Sequence, residues 1–317
     1  DEDNRDFEAD QVVRICQLTI DKWEGDSEAE DALITLIKFM VRQKKLDEAK
    51  KYLAMVKPDS ALRGEAEITT GQAMWSTYLK GLQEVRKWES GDEPLPAGVD
   101  LAARKAELDQ VKQEAQATLK NGIDRMREKE IDKTLATAVL SLCQIYVDAE
   151  QAQDAIDLLE DPDIGALTLV QKKHEAMQRE GVPEETYKTA LRSYIGALPG
   201  ATDKQALIAK AESAMDALNS TVGTDADGQE KLIGIYVTLA ADVKEQIKLA
   251  SPTSRKALTQ GFATFLDKVS ATSNDFTVLN WVAENFYTLG EANDPGAGEP
   301  PADVKAFYDK AAQQYKK

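Results

Sequence analysis

One histidine and two cysteines are the only imidazole and thiol groups that this 317-residue chain offers. A paired-histidine zinc motif is excluded, and without a CxxC pair there is no support for a cysteine redox centre. Glycine and proline, 18 and 10 residues, are also scarce, so helix breakers are few. Basic residues fall short of acidic ones, 39 against 56, for a net charge of −17. Phosphate backbones and anionic membrane surfaces both need a basic face, so neither nucleic acid nor direct membrane binding is expected. No run approaches the ~20 apolar residues that span a bilayer. The phosphate-loop, dinucleotide and nucleophile-elbow patterns GxxxxGK[ST], GxGxxG and GxSxG are absent.

At 42% hydrophobic, the chain has ample material for a core. The opening Asp1-Glu2-Asp3-Asn4 has no methionine, basic start or apolar signal core. Such a start suits a mature exported protein or a domain of something longer, and favours a periplasmic over a cytoplasmic location.

Helical periodicity runs almost throughout, without strand-type alternation. Phe7, Val12, Ile15, Cys16, Ile20 and Trp23 are spaced as one apolar stripe, broken by Gly25-Asp26-Ser27. A helix over 28–43 carries Ala32, Leu33, Leu36, Ile37 and Met40, and a shorter one carries Leu46, Ala49, Tyr52, Leu53 and Val56 up to Pro58. The pair makes a helical hairpin. A second runs over 131–148 with Leu135, Val139, Leu142, Cys143 and Tyr146, then Ala155, Ile156, Leu158 and Leu159. Further helices are expected over 163–177, 183–198, 202–221, 228–250, 253–272, 275–291 and 303–316, about fourteen in all. Ser251-Pro252-Thr253-Ser254 and Ser273-Asn274-Asp275 supply N-cap chemistry. The Gly/Pro/acid stretches near 90–100 and 291–302 read as insertions within hairpins, leaving one array over 1–317.

Laid side by side, the hairpins resemble the tetratricopeptide repeat, a helical pair of 34 residues. The clearest match is Leu33-x2-Leu36-Ile37-x2-Met40 followed by Leu46-Asp47-Glu48-Ala49, Leu53 and Val56. Val139-x2-Leu142-Cys143-x2-Tyr146 with Ala155 and Leu159 is a second. Leu279-x2-Val282-Ala283-x2-Phe286 with Gly290, resuming at Val304, Tyr308 and Ala311, is a third. Another copy is expected around Gly71–Met74 and Ala115–Leu119. Ile37, Cys143 and Ala283 stand where the family has glycine, and positions 163–270 share only the helical rhythm. The resemblance therefore covers about a third of the chain. The layout, including Trp281-x3-Asn285-Phe286-Tyr287, is also similar to bacterial repeat proteins of this kind. It implies an all-α solenoid of stacked antiparallel hairpins.

In such arrays the first helix of each hairpin lines a concave groove. Carried over copy by copy, the groove positions are Lys38, Val41 and Arg42; Gln72, Trp75 and Ser76; Gln144, Val147 and Asp148; and Asn280, Glu284, Tyr287 and Thr288. Trp75 and Tyr287 are either binding anchors or residues packed between helices. The lysine positions of the family's carboxylate clamp fall on Ile34 and Leu140, so that mode has no support. The expected function is a non-catalytic scaffold for a peptide or protein partner, basic in view of the charge, with no cofactor and no metal. The alternatives are a structural module that self-associates through its ends, within an envelope-associated protein, and an enzyme or small-ligand receptor with a pocket beside either insertion.

The remaining chemistry is thin. His174, between Lys172-Lys173 and Glu175, reads as a surface histidine on a helix, because a general base needs an oriented partner and a pocket. Cys16 and Cys143 lie on apolar helix faces and read as buried free thiols. Asp225-Ala226-Asp227-Gly228 fails as a calcium loop, since the first and twelfth ligand positions are Gly223 and Gly234.

Overall fold

A computed structural model describes residues 2–222, 226–249, 252–272, 276–296 and 298–316. Among these the fold is all-α, with no strand. The helices are α1 (Glu2–Lys22), α2 (Ser27–Arg42), α3 (Leu46–Met55), α4 (Arg63–Ser90), α5 (Leu101–Met126), α6 (Lys133–Asp148) and α7 (Ala152–Leu159). There follow α8 (Ala166–Gln171), α9 (Val182–Ala197), α10 (Lys204–Val222), α11 (Ala226–Leu249), α12 (Pro252–Thr272), α13 (Phe276–Asn293) and α14 (Ala302–Gln314). The all-α class and the fourteen α-helices match the expected class and number. The caps expected at 251–254 and 273–275, and the turn at Asp225, lie wholly or partly outside the described residues.

One expected helix is interrupted. Over 163–177, α8 ends at Gln171, Lys173 takes a left-handed φ of 55°, and a 3-10 turn follows at Glu175–Met177. A continuous helix would set His174 one turn beyond the buried Val170, on the apolar face. Turning instead leaves the ring half-buried, with His174 Nδ1 accepting the Ala176 N–H at 3.3 Å, while Ala176 and Met177 are buried. His174 is thus a turn residue rather than a helical one.

The same turn geometry recurs. After α2, Lys44 has φ 59° and the Lys45 N–H bonds the Met40 carbonyl at 2.9 Å. After α8, Lys173 is left-handed and the His174 N–H bonds the Leu169 carbonyl at 2.9 Å. After α6, Glu150 also has φ 59°. Lys44 precedes Ala49 by as many residues as Glu150 precedes Ala155, and both alanines are fully buried.

The chain divides into two compact units, Asp1–Ala149 with Leu158–Met177 and Glu150–Asp157 with Gln178–Lys317, one of the three boundaries falling inside α7. In the first unit α1 packs on α2, α2 on α3, and α4 against both α2 and α6. The expected faces hold: Leu33, Leu36, Ile37, Met40, Ala49 and Val56 are all buried.

The longest pair, α4 and α5, is joined by the 91–100 stretch, and Asp100 caps α5 by accepting the Ala102 and Ala103 N–H groups. Its seam is unusually close. A Cβ placed on Gly122 would stand 2.9 Å from the Gly64 carbonyl oxygen and 2.9 Å from the Ile68 nitrogen. Beside it, the buried Glu67 carboxylate accepts Arg63 Nε at 2.7 Å and Arg125 Nε at 3.0 Å. Arg63 also donates to the Leu53 and Val56 carbonyls, and Arg125 to that of Pro58. The end of α3 is therefore capped by side chains anchored on one buried acid.

The second unit has its own core, including Leu191, Met215, Tyr236, Phe262, Leu266, Val282 and Phe286. Between α13 and α14 the Tyr308 ring lies against Gly290.

Candidate functional site

Four of the groove positions expected in the first unit, Gln72, Trp75, Gln144 and Asp148, lie along the seam between α4 and α6. Gln72 Nε2 donates to Thr137 Oγ1 at 3.2 Å, and Trp75 Nε1 donates to Gln144 Oε1 at 3.3 Å. One turn on, the Tyr78 hydroxyl donates to the Asp148 carboxylate. The donors advance three residues at a time along α4 and so share a face. The result is a three-rung polar ladder between helices some seventy residues apart.

The far end of the ladder is charged. Lys112 Nζ stands 3.3 Å from the Asp148 carboxylate and 5.3 Å from the Tyr78 ring centroid. The Trp75 and Tyr78 rings stack with centroids 5.1 Å apart. Burial, the hydrogen bond to Asp148 and that carboxylate's charge hold the Tyr78 pKa well above the usual phenol value. An ionised Tyr78 is thus disfavoured, and the residue serves here as a donor. Trp75 is 6% exposed, so it packs in the seam rather than standing out as a surface aromatic. Gln144 and Asp148 are half-buried, Ser76 is exposed and Val147 is buried.

Lys38 is exposed and pairs with Glu65 at 2.6 Å, linking α2 to α4. Arg42 is exposed at the end of α2 and Val41 is half-buried. In the second unit, Asn280 Nδ2 donates to Glu284 Oε1 at 3.0 Å along α13, and Thr288 is exposed. Tyr287 is 49% exposed, its ring 5.6 Å from that of Tyr308.

Sequence reasoning missed Tyr78, Lys112 and Thr137. The three-residue spacing of Gln72, Trp75 and Tyr78 was the available signal, but their partners lie on another helix and have no mark in the local pattern. The N-terminal stripe is also corrected: Cys16 packs with Val13 and Ile20 on α2, whereas Val12, Ile15 and Leu18 are exposed. The fifteenth and eighteenth positions lie ~100° or more from the sixteenth and twentieth, too far for one narrow stripe. The side chain of Phe7 is outside the described residues.

A cavity of about 630 Å³ opens among α1, α2 and the end of α3. Ile20, Leu33 and Met55 line it with Asp21, Glu24 and Glu30, and Lys57 closes one side by donating to the Gly25 carbonyl at 2.8 Å. It adjoins neither insertion. Cys16 and Cys143 are both free and buried, and burial pushes both thiol pKa values up, so neither is poised as a thiolate. Among the described residues, no three His, Cys, Asp or Glu side chains cluster as a metal site, and no helix is long and apolar enough to cross a membrane. No protein-family model, curated protein or solved structure matches the chain.

Proposed function

We propose that this protein is a non-catalytic interaction scaffold, a tetratricopeptide-like array that presents the α2–α4–α6 surface to a peptide or protein partner. The observation that carries this reading is the ladder from Gln72–Thr137 to Tyr78–Asp148. One rung, Trp75–Gln144, joins two positions assigned to the groove by repeat register, and Gln72 and Asp148 bond other residues of the same seam, which is compatible with stacked hairpins. The recurring left-handed turn at Lys44, Glu150 and Lys173 supports the same reading. The net charge of −17 favours a basic partner whose association weakens with salt.

The structure changes which residues should be altered to test it. Trp75 is part of the seam, so its truncation would damage the platform. Arg42 and Ser76 are exposed and can be changed without opening a core. The test is capture from a lysate at low and moderate salt, comparing the native chain with an Arg42→Glu/Ser76→Arg variant of unchanged helicity. A partner held by the native chain and lost by the variant supports the surface. A partner held equally by both refutes it.

A further inference from the structure

The cavity among α1, α2 and the end of α3 joins an apolar floor to an acidic rim. Its volume of about 630 Å³ lies in the range of ligand sites. Ala29 and Leu33 are buried in the floor, Ile20 is half-buried, and Met55 is 48% exposed at the edge. Around them the carboxylates of Asp21, Glu24 and Glu30 stand against the single ammonium of Lys57.

The three acids are not equally satisfied. Glu30 lies in the first turn of α2, where the helix dipole favours an acid. It accepts the Ser60 hydroxyl at 2.7 Å and has Lys57 Nζ 3.8 Å away. Asp21 lies in the last turn of α1 and Glu24 just beyond it, at the negative end of that dipole, where a cation is favoured. Both are exposed, and among the described residues neither carboxylate has an ion pair. Lys22, the basic residue of that turn, is instead placed over the Trp23 ring, 4.6 Å from its centroid. The opposite side of the cavity already holds a lysine head, since Lys57 Nζ donates to the Gly25 carbonyl at 2.8 Å.

We infer that this cavity binds a lysine side chain carried by a peptide segment of the partner. The aliphatic stem crosses Ile20, Leu33 and Met55, and the ammonium reaches the Asp21 and Glu24 carboxylates. Lysine suits such a place because its stem covers apolar surface while its head stays at the wet rim. An acidic ligand would face like charge, and a neutral one would leave both carboxylates uncompensated. The inference rests on the basic-partner reading and places a contact on a second surface, which shares no residue with the groove positions.

The test is methyl resonance in the full chain with carbon-13 methyl-labelled methionine, the Met55 signal being identified by its loss in Met55→Leu. The probes are the acetylated, amidated tripeptide Gly-Lys-Gly and its norleucine counterpart, which keeps the stem and lacks the ammonium. The lysine peptide moves the Met55 signal saturably and binds about fivefold more tightly than the norleucine one. Asp21→Asn/Glu24→Gln, at exposed positions, weakens the lysine peptide about fivefold. Glu299→Gln/Asp309→Asn removes the same charge from the second unit and leaves the affinity unchanged. The Arg42→Glu/Ser76→Arg chain keeps the shift, so loss of capture there and loss of the peptide here report on different surfaces. An unmoved Met55 signal, or equal binding of the two peptides, overturns the inference. Equal weakening by the two acid-neutralising variants overturns it as well, because the general acidic field then accounts for the binding. A free butylammonium ion that binds more tightly than the lysine peptide assigns the cavity to free amines and overturns the peptide-borne lysine.

Discussion

Four glycines of this chain should respond to alanine in an order that is set by what surrounds them rather than by helix propensity. In a helix interior, alanine is favoured over glycine by ~1 kcal/mol. At Gly234 on α11 an added Cβ meets nothing within 4 Å, so Gly234→Ala gains that amount. At Gly81 the Cβ meets Leu108 Cδ2 at 2.4 Å and Arg104 Nη2 at 3.1 Å, both ends of flexible side chains that can turn away. The repacking cost of about 1–2 kcal/mol largely cancels the propensity gain. At Gly71 the obstacle is Leu119 Cγ at 2.7 Å, with the Leu119 nitrogen at 3.1 Å, so less of the strain can relax. At Gly122 the Cβ would press on the Gly64 carbonyl oxygen and the Ile68 nitrogen, each at 2.9 Å. Those are backbone atoms of a helix. Restoring ordinary contact means moving α4 and α5 apart by several tenths of an ångström along a seam packed over many turns. Gly122→Ala therefore costs about 3 kcal/mol of overpacking against the ~1 kcal/mol gain, a net loss near 2 kcal/mol. For a unit of this size that lowers the melting midpoint by roughly 4–8 °C. Since the chain has two units, urea unfolding should be followed by helical circular dichroism and by tryptophan emission, which Trp23, Trp75 and Trp88 weight toward the first unit. The expected order of midpoints is Gly234→Ala above native, Gly81→Ala near native, Gly71→Ala lower and Gly122→Ala lowest. A Gly122→Ala protein as stable as the native one refutes the close approach of α4 and α5.

Three further outcomes follow from single clusters. Glu67→Gln, which leaves Arg63 and Arg125 facing a neutral amide in a buried site, should destabilise by about 3 kcal/mol, whereas Arg125→Ala, at the half-exposed side, costs about 1 kcal/mol; similar losses in urea titrations would show that the acid is not the anchor. At Asp161 burial alone would raise the pKa, but the Ile164 and Asp163 N–H groups and Arg127 outweigh it, and the net shift is downward. Its stabilising contribution is complete above the unfolded value near ~3.9 and is lost as pH falls through the lower folded value, so Asp161→Asn flattens the acid limb of the stability profile; an unchanged slope contradicts this. Trp75→Phe keeps a ring to stack on Tyr78 and loses the bond to Gln144, so it should cost about 1 kcal/mol of stability and leave partner capture intact; a captured partner lost without loss of stability would make Trp75 a contact residue instead.

Local periodicity made most of the helices legible, because burying Leu36, Ile37 and Met40 on one side of a helix requires the spacing that the sequence displays. It also marked Ala49 and Ala155 as close-packed positions. It went wrong where local and tertiary demands part. The pattern over 163–177 continues a helix by spacing, but a histidine stands at the position that would be buried, and the chain turns there. The stripe on α1 counts Ile15 with Cys16 because both are apolar, although their directions differ by ~100°. The cross-helix partners of Trp75 and Tyr78 were illegible for a different reason. A hydrogen bond between Gln144 and an indole some seventy residues away leaves no trace in either helix's own pattern.

The ladder also constrains how this surface can recognise anything. Gln72 donates to Thr137, Trp75 to Gln144 and Tyr78 to Asp148, and Lys38 pairs with Glu65. A partner that drew these groups away would break contacts holding α4 against α6 and would have to replace each bond it displaced. Binding through them would gain little net free energy, whereas binding over them leaves the platform intact. The groups that can engage without that cost are the exposed ones beside the ladder, Arg42, Ser76 and Leu79. Under the scaffold proposal, a surface so arranged would be ordered before a partner arrives, so little conformational entropy would be lost in it on association. Specificity under that proposal would come from the shape of the helix row and from the long-range acidic field, with the Trp75–Tyr78 pair beneath the surface helping to hold α4 against α6.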